Sequence, residues 1–150
     1  MERNDEYLEN RLYTIIKKHF SDIEFSNQVF IKFGKRSRRQ LGCIKRKSVR
    51  GFFDILKNKI DNPSIITITG YFKDISIPEY VLDATIAHEL VHYAHGFQSP
   101  LKKIYNHPHK GNIVKKELYK RNFQERHDMA EIWLKENWNT YLLKQRFSRD

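Results

Sequence analysis

His88-Glu89-Leu90-Val91-His92 decides how this chain is read, because it sits inside a run whose apolar residues recur at helical spacing. Two histidines four apart on a helix stand about 40° from each other around the axis and one turn apart along it, so both imidazoles can reach one metal ion. Glu89 is offset from His88 by about 100°, which keeps it off the metal but near a metal-bound water whose proton a carboxylate can accept. The pattern HExxH therefore implies zinc and the hydrolytic chemistry of a metalloprotease. The plainer reading is a buried helix with hydrogen-bonded histidines. A pair flanking a glutamate weighs against it.

Outward from this stretch, Ser76-Ile77-Pro78-Glu79 predicts the helix start, with a cap, a proline near the first helical position and an early acid, and Gly96 predicts its end. Leu82, Ile86, Leu90 and Ala94 form a core stripe, beside a face of Ala84, His88, Val91 and His92. Asp5 to Phe20 reads as an amphipathic helix with Leu8, Leu12, Ile15, Ile16 and Phe20 on one side. Val29–Phe33 and Leu41–Lys45 read as two strands of a hairpin joined by the basic turn Gly34 to Arg39. Ile65–Thr69, a β-branched run ended by Gly70, is the clearest strand. It is expected at a sheet edge beside the zinc, where an extended peptide can add to it by backbone pairing. Ile113, Val114 and Leu118 predict a short helix after Asn112, and Glu125 to Phe147 a long one. The expected fold is α+β: a small, mostly antiparallel sheet packed on helices, with the HExxH helix at the centre.

At 150 residues the chain is one ordinary domain, long enough to bury a core without staples. No apolar run approaches bilayer length, and the first residues lead into a charged helix, so a membrane span and a secretory leader are not expected. The lone Cys43 agrees with a reducing, intracellular compartment and leaves any zinc to histidine and carboxylate. The net charge of +10 is uneven. From Asn27 to Phe53 there is no acid, whereas Lys32, Lys35, Arg36, Arg38, Arg39, Lys45, Arg46, Lys47 and Arg50 are all basic. A second basic group runs through Lys102, Lys103, Lys110, Lys115, Lys116, Lys120 and Arg121. With Phe30, Phe33, Phe52 and Phe53 nearby for stacking, the first segment predicts contact with a polyanion, single-stranded or double-stranded DNA; the bland alternative is a solvated surface. The residues singled out for that contact are Arg36, Arg38, Arg39, Lys45, Arg46 and Lys47.

A catalytic zinc takes three protein ligands and keeps a position for water, so a third ligand must come from outside the motif. His95 is about 10 Å along the axis from His88, too far to join both histidines, and is expected only to line the cleft. Glu125 and Glu131 would give a carboxylate-ligated site. His107 and His109 are better placed.

The chain resembles the SprT-like metalloproteases, the group that includes Spartan, through Leu41-Gly42 and the arginines before it, Ile65 to Thr69, Tyr71-Phe72-Lys73, Val81 to His92, and Pro108-His109. The resemblance covers roughly residues 5 to 121, leaving 122 to 150 as a helical extension. It implies a zincin-like domain with one zinc held by His88, His92 and His109, and Glu89 as general base. His109 stands 17 residues beyond His92, where the family has its third histidine, with His107 as runner-up. Two departures are Lys110 in place of the family's glycine, which is delayed to Gly111, and Ile113 in an aromatic slot. The implied activity is endopeptidase cleavage of nucleic-acid-associated or DNA-crosslinked proteins. The competing expectations are a general zinc peptidase for unfolded chains and a basic nucleic-acid-binding module with a structural zinc. Tyr93 and Tyr105 are candidates to assist an oxyanion.

Overall fold

In a computed structural model, residues 1–47 and 62–148 are described. The elements run α1 (Asp5–His19), β1 (Val29–Phe33), β2 (Gly42–Arg46), β3 (Ser64–Ile68), a 3-10 turn (Gly70–Lys73), α2 (Glu79–Ala94), a second 3-10 turn (Lys110–Asn112), α3 (Ile113–Lys120) and α4 (Gln124–Phe147). The class is α+β, with a three-stranded mixed sheet and four helices among the described residues. Phe52, Phe53 and Arg50, expected to belong to the basic surface, lie outside the described residues.

The strand order β1-β3-β2 corrects two expectations. β1 and β2 do not form a hairpin: β3 lies between them, parallel to β1 and antiparallel to β2, so the sheet is mixed and not mostly antiparallel. β3 is consequently the central strand, paired on both sides, and cannot serve as the edge beside the site. Its burial explains why: Ser64, Ile66 and Ile68 are buried and Ile65 and Thr67 half-buried, so neither face is open to water. β1 and β2 each bury one residue, Ile31 and Ile44, as edge strands covered on one face do.

α1 buries Leu8, Leu12 and Ile15, and is capped at its start by Asn4, whose side chain accepts the Tyr7 N–H at 2.9 Å. α2 packs against the sheet and all three other helices, so it runs through the middle of the core. Pro78 itself occupies the position before α2, and no side chain caps it; Ser76 instead gives its backbone N–H to Asp74 Oδ1 at 2.9 Å. At the other end the Phe97 N–H donates to the His92 carbonyl at 2.9 Å and the Gly96 N–H to the Tyr93 carbonyl at 3.0 Å, the paired bonds of a Schellman cap. Gly96 has φ 84°, and a Cβ there would meet the Lys102 carbonyl oxygen at 2.4 Å, so only glycine suits the position. Fully buried Asp83 ties three helices together, taking Arg11 Nε and Nη2 from α1 at 2.9 and 2.7 Å and Arg126 Nη1 from α4. No helix among the described residues is long and apolar enough to cross a membrane.

Candidate metal centre and its cleft

One turn of α2 sets His88 and His92 side by side, with ring centroids 4.7 Å apart. The chain leaves α2 at Gly96, loops out, and returns to place His109 across them: its centroid is 5.4 Å from that of His88 and 4.7 Å from that of His92. Gly111 and Asn112 follow in left-handed conformation, φ 71° and 57°, and turn the chain into α3. The delayed glycine thus makes the turn two residues after the histidine. A nitrogen from each of the three rings lies within 4.8 Å of the other two. His107, exposed, and Glu125, exposed, are outside this group, and Glu131 belongs to a different one with His127 and Asp128.

These residues fit a zinc ion. His88 Nε2 and His109 Nε2 are 3.3 Å apart, and two nitrogens about 2.05 Å from a tetrahedral ion stand about 3.3 Å from each other. His92 Nδ1 is buried without a hydrogen-bond partner, a cost that neighbouring imidazoles do not relieve. Burial, and then the charge of His109 and His127, push the His88 pKa down to about 4; burial, then His88 and His109, push that of His92 to about 3. Both rings are therefore neutral near pH 7, the form in which imidazole ligates a metal.

Glu89 points from α2 towards β2. It is 5% exposed, and burial alone raises its carboxyl to about 7, near where a general base works best at neutral pH. Gly42 makes room for it: a Cβ on Gly42 would lie 3.2 Å from Glu89 Oε1 and 2.8 Å from Thr85 Cγ2. The cleft, about 770 Å³, has α2 as floor, residues 39–44 as one wall and His127, Ala130, Glu131 and Leu134 of α4 as the other. β2 is an edge strand among the described residues. The Thr69 N–H bonds to the Leu41 carbonyl and the Lys47 N–H to the Pro63 carbonyl, each at 2.8 Å, so odd-numbered residues of β2 face β3. The backbone groups of Gly42, Ile44 and Arg46 face outward, and the Arg46 N–H is taken by Gln98 Oε1 at 2.9 Å.

Several expected residues fall elsewhere. His95 is the C-cap of α2, 2% exposed, with its ring against Tyr105 and 3.9 Å from Glu117; it lies under the helix end and not in the cleft. Tyr93 is fully buried and donates to Asn27 Oδ1 at 2.5 Å, and Tyr105 packs on His95, so neither reaches the cleft. Of the basic set, Arg36, Arg38, Arg39, Lys45 and Lys47 are exposed and Arg46 is half-buried. Arg36 lies over the Tyr71 ring at 5.6 Å, the Arg38 carbonyl accepts Trp138 Nε1–H at 3.0 Å, and Arg39 reaches the cleft wall. Lys45 and Arg46 point to opposite faces of β2.

The residue that sequence reasoning missed is His127, which lines the cleft opposite β2. Its signal was its spacing from Ala130 and Leu134 on one face of the long helix. No family model matches the chain, and no curated protein and no solved structure is significantly similar to it.

Proposed function

We propose that the protein is a zinc-dependent endopeptidase of the SprT-like, zincin kind, acting on proteins bound or crosslinked to nucleic acid. The observation that carries this reading is the meeting of three imidazoles and the buried carboxyl of Glu89 in one open cleft. His88, His92 and His109 would hold the ion, one per chain. Bound there, zinc supplies Lewis acidity and a water acidified towards neutral pH. Glu89 takes the proton of the attacking water and returns it to the leaving amine. No fourth protein ligand joins the three histidines among the described residues, which favours a catalytic site over a closed structural one.

An extended substrate can pair with the outward N–H and C=O groups of Gly42 and Ile44, beside Glu89. Backbone pairing reads little side-chain identity, as suits a protease of diverse targets. The exposed Arg36, Arg38, Arg39, Lys45 and Lys47 lie next to this strand and supply the contact to phosphates.

Proteolysis of a basic DNA-binding protein, with and without single- or double-stranded DNA, tests both parts. Glu89→Gln is expected to retain zinc and lose about 10²- to 10⁴-fold in turnover. Equal turnover by that variant removes the peptidase reading. Neutral replacement of the five exposed basic residues is expected to flatten the salt dependence of DNA binding, by roughly one unit of slope for each phosphate no longer neutralised. An unchanged slope means solvated surface, and leaves a general peptidase for unfolded chains.

A further inference from the structure

The α4 wall of the cleft carries an imidazole that the metal centre does not use. His127 Nδ1 is 3.0 Å from Asp128 Oδ1, and the Tyr119 hydroxyl of α3 donates to the same oxygen at 2.5 Å. The Tyr119 hydrogen bond, and then that of His127, hold the Asp128 carboxyl below the usual range, so it is an anion and can only accept. Nδ1 must therefore carry the proton in its contact with Asp128, which fixes the ring and leaves Nε2 as the nitrogen for the cleft. The ring lines the same cleft as His88, Glu89 and His109. The other charged or titratable groups around it are Glu131 on its own helix, and Tyr119 and Lys115 on α3.

We propose that His127 is a catalytic residue of the peptidase reaction, donating a hydrogen bond from Nε2–H to the scissile carbonyl oxygen as that oxygen becomes an oxyanion, with Asp128 and Tyr119 as positioning residues. The assignment rests on the endopeptidase reading above. In the addition step the water oxygen bonds to the carbonyl carbon, the carbonyl π pair moves onto its oxygen, and the water proton passes to Glu89. In the second step the C–N bond breaks, the pair on the oxyanion re-forms the carbonyl, and the proton on Glu89 goes to the departing nitrogen. His127 keeps both ring protons throughout: one faces Asp128 and the other the developing charge. A donor aimed at the position where charge appears acts on turnover far more than on binding.

The test measures kcat, KM and zinc per chain for wild type, Glu89→Gln, His127→Ala, His127→Gln and Asp128→Asn on an unfolded protein substrate. His127→Ala is expected to lose about 10²- to 10³-fold in kcat with KM within about 3-fold and zinc unchanged. His127→Gln, which keeps a neutral donor, is expected to recover part of the loss with KM and zinc unchanged. Asp128→Asn, which removes the anion that holds the ring, is expected to lower kcat by less than His127→Ala does, again with KM and zinc unchanged. If Glu89→Gln is inactive while His127→Ala stays within about 3-fold of wild type, the assignment is overturned and the peptidase reading stands. A wild type no faster than Glu89→Gln overturns both. Zinc lost in His127→Ala, or a second zinc that disappears with it, makes His127 a ligand and overturns the donor role.

Discussion

Two clusters of three ligating side chains border the same cleft: His88, His92 and His109 line one side, and of the set His127, Asp128 and Glu131 the first and last line the other. Their spacing is alike, since each set has its ligand atoms within 4.8 Å of one another. Their chemistry is not. In the first, burial and mutual repulsion keep His88 and His92 neutral, and His92 Nδ1 has no protein partner. In the second, the members are already engaged: Asp128 accepts from Tyr119 and His127, and Glu131 lies 3.9 Å from Lys115 Nζ. Proximity of donors does not define a metal centre. Lone pairs left over after the protein has made its own hydrogen bonds are needed as well.

Removing one member from each cluster breaks or sharpens this contrast. His109→Ala is expected to weaken zinc binding by about 100-fold or more, because only the helical pair remains. His107→Ala, Glu131→Gln and Asp128→Asn should keep one zinc per chain by metal analysis. If Glu131→Gln loses zinc, the two clusters are one site.

The next effect is on acid stability of the metal-free protein. An unfolded histidine takes up a proton near pH 6.5, whereas folded His88 and His92 resist until about 4 and 3. Between those limits the unfolded state binds more protons at these two residues, so their contribution is full above pH 6.5 and is lost as pH falls towards 3; Glu89, raised from 4.5 to about 7, works the other way between its two values, so the net fall is steepest below about 4.5. A thermal unfolding midpoint falling by roughly 5 °C or more over that window is expected. His92→Ala should shallow the slope; a slope equal to that of wild type would contradict the burial argument.

Gly42→Ala should cost about 10-fold in kcat with zinc unchanged, since the added methyl group displaces Glu89 and Thr85. Smallest of all, Lys115→Ala should change stability by less than about 0.5 kcal/mol, because its ion pair with Glu131 is exposed. Steady-state kinetics with metal analysis checks the first, and urea unfolding the second.

What could be read from the sequence was local. The apolar periodicity of Leu8, Leu12 and Ile15 and of Leu82, Ile86 and Leu90, the β-branched run of β3 and the stop at Gly96 located the main helices and the central strand to within a few residues. Strand pairing was not local. Val29–Phe33 and Leu41–Lys45 are neighbours in sequence, but the residues between them form no tight turn, and β3 inserts between the strands. A hint was present: Ile65-Ile66-Thr67-Ile68 lacks the alternation of a half-exposed strand, as a strand covered on both faces should. At the cleft, His88, Glu89 and His92 were legible because one helical turn fixes their relation. The place of His109 depends on the path of an irregular loop; helical geometry left it open beside His107, and only the family resemblance singled it out. The spacing of His127 from Ala130 and Leu134 put it on one face of α4, but that this face meets the cleft opposite His88 depends on how α4 packs on another helix, which no periodicity encodes.

The Asp83 clamp sets the mechanics of the cleft. Because one dry carboxylate grips Arg11 and Arg126, α1, α2 and α4 are latched as a single block, and pulling α4 away would leave a buried charge without its counter-ions. Slow amide hydrogen exchange should therefore extend across all three helices as one protected unit. Widening to admit a folded polypeptide has to come from the other jaw, the β2 edge and the loop that carries His109. The floor holding Glu89 then stays still while the entrance breathes.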